Sequence, residues 1–379
     1  MSRLSSFIFS SDNARRIQVA LRLGVWIAIG LTAFDVLINV VFAYPSDPRN
    51  TNPSRFQIYF EYGRSTDAQL ARMTRHDRSQ TAPITLAGWY NPITVEEKSE
   101  TTQNPIVTFY GMSHAVQLAH ALARVSNAYT PRVVGAPGAT ANWAYGAYLR
   151  DRGGAKSRAV VLALMSANLP MITTMSPMTW NIGFPMPYTE DRFFIDNGKL
   201  LVVHPPYESF EQYVETFHDQ AKWTVACELF AKYDTMYSPF IREASFLDHS
   251  SLFRLLRRAY GQRLERSARA GVLDQSGFHP DSEQIKVARA IIRDFSQHAR
   301  ADRMIPIIYI VNNFGYSDYL FQALKPVLDA DNIPYVSSHQ IVSPNDPRGY
   351  VPNSHFTDLV DEQLARALIN VIKMRSDIK

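Results

Sequence analysis

The stretch Pro105-Ile-Val-Thr-Phe-Tyr-Gly-Met-Ser-His-Ala115 decides the fold of this chain. Its first half is apolar and rich in β-branched and aromatic residues. A turn at Gly111 follows, and apolar residues then recur at helical spacing as Leu118, Leu122 and Val125. An apolar run of this kind, followed at once by a period of 3.6 residues, predicts a buried parallel strand that feeds a helix.

The same alternation of strand and helix recurs along the chain. Further strands are predicted at residues 129–136, 158–165, 304–312 and 333–341. Helices are predicted up to residue 128, up to residue 149, at 316–329 and at 357–374. Alternating β and α units predict an α/β fold with a doubly wound, mostly parallel five-stranded sheet and right-handed crossovers.

A long insert separates the third strand from the fourth, at about residues 170–300. A hairpin is predicted at 193–203, because Asn197-Gly198 suits a type I′ turn. Helices are then predicted at 209–233, 250–270 and 281–298, the last with Asp281 as its N-cap and Gln284 three residues on. The insert is expected beside the carboxyl ends of the strands, where it either shapes a cleft or holds a partner.

Composition narrows the class of protein. The chain has 379 residues, of which 46% are hydrophobic and 20% charged, so it can build a core. A net charge of +4 does not single out nucleic acid, and no nucleic-acid-binding motif is present. The single cysteine, Cys227, excludes a disulfide framework and a multi-cysteine metal site, and an inert buried thiol is expected.

Residues 23–44 form an apolar stretch long enough to cross a bilayer. Four arginines precede it, namely Arg3, Arg15, Arg16 and Arg22. The positive-inside bias therefore places residues 1–22 in the cytoplasm and the rest of the chain outside it. We predict an uncleaved signal anchor that crosses the inner (cytoplasmic) membrane once, with the α/β domain in the periplasm.

Two polar residues interrupt the predicted span. Asp35 and Asn39 lie four residues apart on one helical face, which allows contact with a partner in the membrane. A lone anchor that tolerates both groups near its outer end is the favoured interpretation. Beyond the span, residues 45–104 are predicted to be a tether with one strand near residues 85–90, and residues 105–379 form the α/β domain.

The predicted helix at 250–270 is strongly basic. It carries six arginines: Arg254, Arg257, Arg258, Arg263, Arg266 and Arg269. Such a helix could lie against anionic lipid near the anchor or meet an acidic polysaccharide. A solvated helix face is the default interpretation.

Ser113 follows the first strand directly, at the start of the first helix. Open α/β sheets place their functional sites at the carboxyl ends of the strands, so Ser113 has the position of a nucleophile. His355 lies in the loop before the final helix, which reaches the same edge of the sheet, and an imidazole there could serve as the base. The simpler alternatives are a helix N-cap for Ser113 and a surface histidine for His355.

Other polar groups are expected at the same edge. Gly138 and Asn168 follow the second and third strands and could supply a backbone N–H and a side-chain amide to an oxyanion. Gly138 could equally be an ordinary turn residue, and Asn168 could simply end a strand. His114, next to the proposed nucleophile, is expected to pack or to meet solvent, with contact to substrate as the alternative.

The order of these residues resembles the SGNH hydrolases, also called GDSL esterases. The resemblance covers about residues 105–374, with the insert outside the common pattern. It rests on Gly111-x-Ser113, Gly138, Asn168 and His355 before a helix that contains Leu364-Ala365 and Ala367-Leu368.

This resemblance implies a flavodoxin-like sheet of the SGNH type, a Ser113 nucleophile and a His355 base. It also implies an oxyanion hole made by the N–H groups of Ser113 and Gly138 and the amide of Asn168. The family cleaves or transfers acyl esters, often acetyl groups on carbohydrates, without a metal or an organic cofactor.

Three departures from the family pattern stand out. Met112 replaces the aspartate of Gly-Asp-Ser, and the Gly-x-Asn block reads Ser166-Ala-Asn168. The acid expected two or three residues before His355 is missing, although such an acid normally fixes the imidazole tautomer. Three residues are candidates for the orienting role: Asn353, Asp346 and Asp358. A backbone carbonyl is the remaining alternative.

The sequence leads to three hypotheses of function. The first is a membrane-anchored extracytoplasmic serine esterase that removes acyl groups, with acetyl expected, from a cell-envelope or secreted polysaccharide. The second is a polysaccharide O-acetyltransferase with the same Ser/His site, which a membrane-protein partner would supply with acyl groups. The third is a non-catalytic SGNH-like scaffold in a polysaccharide assembly machine.

Overall fold

The computed structural model describes residues 11–45, 53–73, 88–90, 104–152, 156–180 and 186–376. The chain forms two compact units. One, here called the anchor unit, comprises Met1–Pro83 and Glu243–Ala259. The other, here called the α/β unit, comprises Ile84–Arg242 and Tyr260–Lys379. Residues 243–259 therefore group with the N-terminal segment, whereas the sequence analysis assigned them to the α/β domain.

The regular elements are as follows. The helices are α1 (Ser11–Val41), α2 (Arg55–Glu61), α3 (Thr66–Met73), α4 (Ser113–Val125), α5 (Ala141–Asp151), α6 (Pro177–Trp180), α7 (Phe210–His218), α8 (Gln220–Tyr233), α9 (Pro239–Arg242), α10 (Ser251–Ala270), α11 (Glu283–Ala301), α12 (Tyr319–Ala330) and α13 (Asp358–Ser376). The strands are β1 (Ile106–Gly111), β2 (Thr130–Gly135), β3 (Ser157–Met165), β4 (Arg192–Asp196), β5 (Lys199–Val203), β6 (Leu273–Asp274), β7 (Gly277–Phe278), β8 (Ile305–Val311) and β9 (Tyr335–Ser337). Short 3₁₀ helices cover Ser166–Thr173, Phe246–His249, Ser338–Gln340 and Pro347–Gly349.

The α/β unit is built on a five-stranded sheet with the strand order β2-β1-β3-β8-β9. All of its pairings are parallel. Helix α4 packs against α13, while α11 packs against α5 and α12. The predicted fold class, a doubly wound parallel sheet with an insert and an N-terminal apolar helix, is confirmed.

The central strands are apolar along their length because helices cover the sheet. Phe109 on β1 and Val161 on β3 are paired across the sheet and fully buried. On α4, the predicted apolar positions Leu118 and Leu122 are also fully buried. Burial on both faces is why these strands read as continuous apolar runs rather than as an alternating pattern.

The fifth strand is much shorter than predicted. Strand β9 lies at the sheet edge and ends at Ser337, and residues 338–340 turn into a 3₁₀ helix. The Ser338 hydroxyl accepts a hydrogen bond from the Asn312 N–H at 2.8 Å, and the Ser338 carbonyl accepts one from the Ile341 N–H at 3.0 Å. These local bonds replace the ladder that the apolar pattern of residues 333–341 suggested.

The insert contains the predicted hairpin, formed by β4 and β5. Its two turn residues both have positive φ, 48° at Asn197 and 76° at Gly198, as a type I′ turn requires. The single helix predicted at 209–233 is wrong. The chain breaks at Asp219, whose carboxylate accepts hydrogen bonds from the first N–H groups of α8.

The N-cap predicted for the last helix of the insert is also wrong. Ser282 rather than Asp281 precedes α11, and its hydroxyl accepts a hydrogen bond from the Ile285 N–H. Serine and aspartate are both common N-cap residues, so residue type alone does not show at which of the two the helix begins.

The anchor unit begins with α1, whose segment Arg15–Val41 is long and apolar enough to cross a membrane. The predicted tether is wrong for residues 55–73, because α2 and α3 form there. Ser54 and Gln57 make a capping box at the start of α2, which the turn-rich composition obscured. The strand predicted near residues 85–90 lies outside the described residues except for 88–90, which form no strand.

Two arginines of α10 turn inward within the anchor unit. Arg257 is 2% exposed and pairs with Asp248 at 2.5 Å. The same carboxylate accepts hydrogen bonds from the N–H and the hydroxyl of Ser65 at 2.6 and 2.7 Å. Arg254 is also buried, and it lies 3.7 Å from Glu61. A solvated basic face is therefore wrong for these two positions.

Candidate active site

Ser113 and His355 meet at the carboxyl end of β1. The Ser113 Oγ lies 2.7 Å from the His355 Nε2, although 242 positions separate the two residues in the sequence. Ser113 is the first residue of α4, and Met112 occupies the N-cap position. The hydroxyl is thus directed at the imidazole, and the residue is not the N-cap that the simpler interpretation proposed.

The turn that presents Ser113 depends on Gly111. Its φ is 154°, and a Cβ atom there would lie 2.7 Å from the Cβ of Ala163 on the neighbouring strand. Met112, the residue before Ser113, is fully buried. Its side chain therefore packs into the core.

The loop carrying His355 is held by its own backbone. Tyr350 and Phe356 form an isolated antiparallel bridge, and the Val351 N–H donates to the His355 carbonyl at 2.8 Å. The intervening Ser354 has a φ of 67°. These constraints fix the course of the backbone immediately before the imidazole.

None of the three candidate orienting residues bonds to the imidazole in the structure. The Asn353 side chain accepts the backbone N–H of His355 at 3.3 Å. Asp346 pairs with Arg348 at 2.7 Å, and Asp358 pairs with Arg124 at 3.2 Å. The His355 Nδ1 is buried and makes no hydrogen bond to any residue that the structure describes.

Burial lowers the pKa of His355 below the 6.5 of an unperturbed histidine. The imidazole is therefore neutral at pH 7, and its Nε2 can accept the proton of the Ser113 hydroxyl. When Nε2 accepts this proton, the ring hydrogen of the neutral imidazole lies on Nδ1. This tautomer is inferred from the contact of Nε2 with the Ser113 hydroxyl.

His114 packs on the other side of this pair. Its ring lies 4.8 Å from the His355 ring at an interplanar angle of 26°, and it meets Phe356 edge-on at 5.1 Å. Burial and the neighbouring His355 lower the pKa of His114 to about 4, against an opposing effect of the Ser354 backbone. His114 therefore presents a neutral ring, and the expectation that it packs is met.

Gly138 and Asn168 meet each other in the structure. The Asn168 amide donates to the carbonyls of Gly138 and Ala139 at 2.9 and 3.1 Å. Gly138 has a φ of 65°, which favours glycine. The amide has two hydrogens, and the two carbonyls use both of them. Asn168 must therefore break one of these hydrogen bonds before it can donate to an oxyanion.

The insert supports the same loop, residues 137–140. The Tyr188 hydroxyl donates to the Pro137 carbonyl at 2.8 Å. The Thr140 hydroxyl donates to Glu190 at 2.7 Å, and burial raises the pKa of that carboxyl. Sequence reasoning missed these supporting residues because no spacing links them to Gly138. The expectation that the insert lies beside the carboxyl ends of the strands agrees with these contacts.

A separate cluster of Asp191, His204 and Glu208 has ligand atoms within 4.8 Å of one another. Arg150 pairs with both carboxylates, and the His204 Nδ1 lies 2.8 Å from Asp191. Because the guanidinium pairs with both carboxylates, the cluster is a network of ion pairs.

Comparison with known proteins gives little beyond this geometry. No family model matches the chain, and no curated protein matches it. A solved structure from Bacteroides fragilis, described as a "putative acylhydrolase", is similar with a TM-score of 0.36 and 11% identity. The match covers 74% of this chain and 91% of that one.

Proposed function

We propose that the protein is a membrane-anchored serine acyl hydrolase. The observation that carries this proposal is the 2.7 Å contact between the Ser113 Oγ and the His355 Nε2. A hydroxyl at a helix start, within hydrogen-bond reach of a neutral imidazole, is the arrangement that serine nucleophiles use. The resemblance of the residue order to the SGNH hydrolases supports the same assignment.

The reaction follows from the two side chains. The Ser113 Oγ attacks the ester carbonyl carbon while its proton passes to the His355 Nε2. The tetrahedral intermediate collapses, the imidazolium returns the proton to the leaving alkoxide, and an acyl group remains on Ser113. His355 then takes a proton from water as the water oxygen attacks the acyl carbon of the acyl-enzyme. The second tetrahedral intermediate collapses while the imidazolium returns that proton to the Ser113 Oγ, which releases the carboxylic acid and restores the free serine.

The developing oxyanion needs hydrogen-bond donors. We assign this role to the N–H groups of Ser113 and Gly138 and to the Asn168 amide, as the resemblance implies. The bonds from Asn168 to the Gly138 loop support the view that the amide and the loop act together. Support from Tyr188 would keep the loop in place as charge develops.

The proposed substrate is an acylated polysaccharide of the cell envelope or a secreted polysaccharide, with acetyl as the acyl group. The N-terminal helix supports an anchored enzyme. The four arginines that precede the apolar stretch of residues 23–44 support an orientation with the site in the periplasm. Ser113 and His355 are only partly buried, which supports access by a polymer chain.

The unpartnered Nδ1 of His355 leads us to expect slow turnover. In a serine protease, changing the orienting aspartate to asparagine lowers kcat by about 10⁴-fold because the imidazole loses its proper tautomer. Acylation of Ser113 by an activated reagent demands less of the base than turnover of a sugar ester does. Labelling of Ser113 is thus the more sensitive assay.

The experiment that tests the proposal is labelling of the full chain in detergent with a fluorophosphonate, together with p-nitrophenyl acetate hydrolysis. Wild type should be labelled on the peptide that contains Ser113, and Ser113→Ala should lose both label and hydrolysis. Ser126→Ala, at the far end of the same helix, is the matched control and should behave as wild type. A folded wild-type sample with neither label nor hydrolysis contradicts the proposal.

The unpartnered Nδ1 also favours a second candidate, the non-catalytic scaffold. In that case the α/β unit binds a glycan or a membrane complex, and Ser113→Ala leaves binding unchanged while wild type shows no turnover. The third candidate is the O-acetyltransferase, and transfer of acetyl to an oligosaccharide in preference to water would indicate it. Because Asp35 and Asn39 both bond within the anchor unit, they give no support to a membrane-protein partner that donates acyl groups.

A further inference from the structure

Helix α1 has a solvent-exposed part, here called the bare part, and a part that other residues of the chain bury, here called the covered part. Every residue from 15 to 34 is exposed, whereas Asp35, Ile38 and Asn39 are partly or fully covered. A helix of 20 residues is about 30 Å long, which matches the hydrocarbon thickness of a bilayer. The bare part alone is thus long enough to cross the membrane.

The covered part is bonded to the start of α10. The Asp35 carboxylate accepts the Leu252 N–H at 2.8 Å, and the Asn39 side chain accepts a hydrogen bond from Arg254. A carboxylate at a helix N-terminus is stabilised by the helix dipole. These bonds fix the first turn of α10 at the level of residues 35–39, directly after the bare part of α1.

In the first two turns of α10, polar and charged residues are buried and apolar residues are exposed. Ser251, Arg254 and Arg257 lie three residues apart and are buried. Phe253 and Leu256, on the other side, are 37% and 60% exposed. A surface helix in water shows the opposite pattern, with apolar residues inside and charges outside.

Two further aromatic residues of the anchor unit are exposed. Phe246, in the 3₁₀ turn before α10, is 82% exposed, and Phe56 on α2 is 63% exposed. Phe56 also contacts Phe42, just beyond the end of α1, with 5.5 Å between the ring centroids. The exposed apolar side chains therefore belong to segments that are joined to the outer end of the anchor.

We propose that Phe56, Phe246, Phe253 and Leu256 form a membrane-facing surface that enters the headgroup region of the bilayer crossed by α1. The occupant of this surface is phospholipid, because the segments carrying it begin at the membrane boundary and present apolar side chains outward. This inference rests on the proposed anchoring but not on catalysis.

The proposal shifts the membrane-embedded segment from the predicted residues 23–44 to about residues 15–34. Arg15 and Arg16 then lie at the inner boundary. Arg22, about 9 Å further along the helix, reaches back to the headgroups through its long side chain. Asp35 and Asn39 leave the hydrocarbon core, where polar groups are costly.

Site-directed spin labelling of the full chain tests this proposal. In a Cys227→Ser background, single cysteines are introduced as Phe246→Cys and Leu256→Cys, with Val225→Cys as the control. Val225 is an exposed apolar residue on α8, at 63% exposure. The protein is placed in nanodiscs of phosphatidylethanolamine and phosphatidylglycerol, and collision rates are measured with oxygen and with a soluble nickel chelate.

The proposal predicts an oxygen-to-nickel ratio several-fold higher at positions 246 and 256 than at position 225, because oxygen concentrates in lipid and nickel chelates do not. Ratios at 246 and 256 equal to that at 225 overturn it. Thermal melting by circular dichroism verifies that each labelled variant folds. Adding Ser113→Ala should leave all three ratios unchanged, so failure of this proposal and failure of the catalytic one are distinguishable.

Discussion

At the scale of single residues, the environment of His355 sets the chemistry of the site. A buried N–H without a partner costs about 1–3 kcal/mol, and the His355 Nδ1 is such a group among the described residues. The parallel ring of His114 contacts the same imidazole. We propose that this ring contact takes over part of the positioning of the imidazole that an acid usually provides.

Substitution of His114 tests this positioning role. His114→Ala should slow fluorophosphonate labelling of Ser113 by about 10-fold to 100-fold, the range expected when a catalytic group is misplaced. His114→Phe keeps a planar ring against His355 and should retain most of the rate. The pKa of His355, followed by NMR, should rise in His114→Ala because the ring becomes more hydrated. Equal rates in all three proteins contradict the role.

The pH dependence of labelling follows from the lowered pKa of His355. If the neutral imidazole is the base, as proposed, the labelling rate should increase with pH through the pKa of His355 and level off once the ring has lost its proton. Since burial lowers that pKa, the midpoint should lie below 6.5. A midpoint above 6.5, measured on wild type between pH 4 and pH 9, would show that the base is better solvated or is another group.

Sequence reasoning predicted that Ser113 and His355 lie close together, but it did not predict the bonds around them. Ser113 and His355 were predictable because strand ends and the final loop of a parallel sheet meet at one edge. The partner of the imidazole was not predictable, since Asn353, Asp346 and Asp358 all lie close in sequence but bond elsewhere. Side-chain directions in an irregular loop leave no periodic signal.

At the scale of elements, the turn between β1 and α4 positions Ser113, the proposed nucleophile. Gly111→Ala should lower the free energy of unfolding by about 1–3 kcal/mol, the usual cost of overpacking, because the new Cβ would lie 2.7 Å from the Cβ of Ala163. Gly315→Ala is the matched control, since Gly315 also has a positive φ, 82°, but open space around it. Denaturant unfolding should show the smaller loss for Gly315→Ala, and equal losses would contradict the packing argument.

Long apolar runs were predictable as elements, whereas breaks and edges were not. Strands β1, β3 and β8 are buried by helices, and their composition reflects that burial directly. Asp219 divides an otherwise continuous helical pattern because its side chain caps the next helix. Strand β9 is short because Ser338 makes local hydrogen bonds at the sheet edge. The strand propensity of residues 333–341 gives no indication of these bonds.

At the scale of the whole molecule, the anchor unit depends on a buried ion pair. Burial raises the pKa of Asp248, but hydrogen bonds from Ser65 and Ser245 and the charge of Arg257 outweigh it, so the pKa lies below the usual 3.8. The carboxylate therefore adds stability above pH 3.8, and this contribution is lost as the pH falls through the lowered pKa.

Asp248→Ala leaves Arg257 buried without its carboxylate, which typically costs about 3–5 kcal/mol. Hydrogen exchange at neutral pH should quicken in α2, α3 and the start of α10. Fluorophosphonate labelling of Ser113 should persist, because the nucleophile and the base both belong to the α/β unit. Asp274→Ala, at an exposed carboxylate of the α/β unit, is the control. Exchange in the anchor unit that matches wild type would contradict this role of Asp248.

The membership of residues 243–259 in the anchor unit was beyond sequence reasoning. Asp248 and Ser65 are 183 positions apart, and Leu252 and Asp35 are 217 apart. Pairings over such separations arise from the tertiary fold and have no local pattern. For Asp35 and Asn39 the favoured prediction was a lone anchor that tolerates both groups, with a partner in the membrane as the alternative. In the structure both residues bond to the start of α10.

We propose that His355 activates Ser113 for attack on an acyl group. Rapid quenching of the full chain with p-nitrophenyl acetate, followed by peptide mass spectrometry, detects the product of that attack on the serine itself. We expect an acetyl group on Ser113 in wild type and its loss in His355→Ala, with the fold verified by circular dichroism. Acetylation at other residues only, or an equal yield on Ser113 without the imidazole, would contradict it.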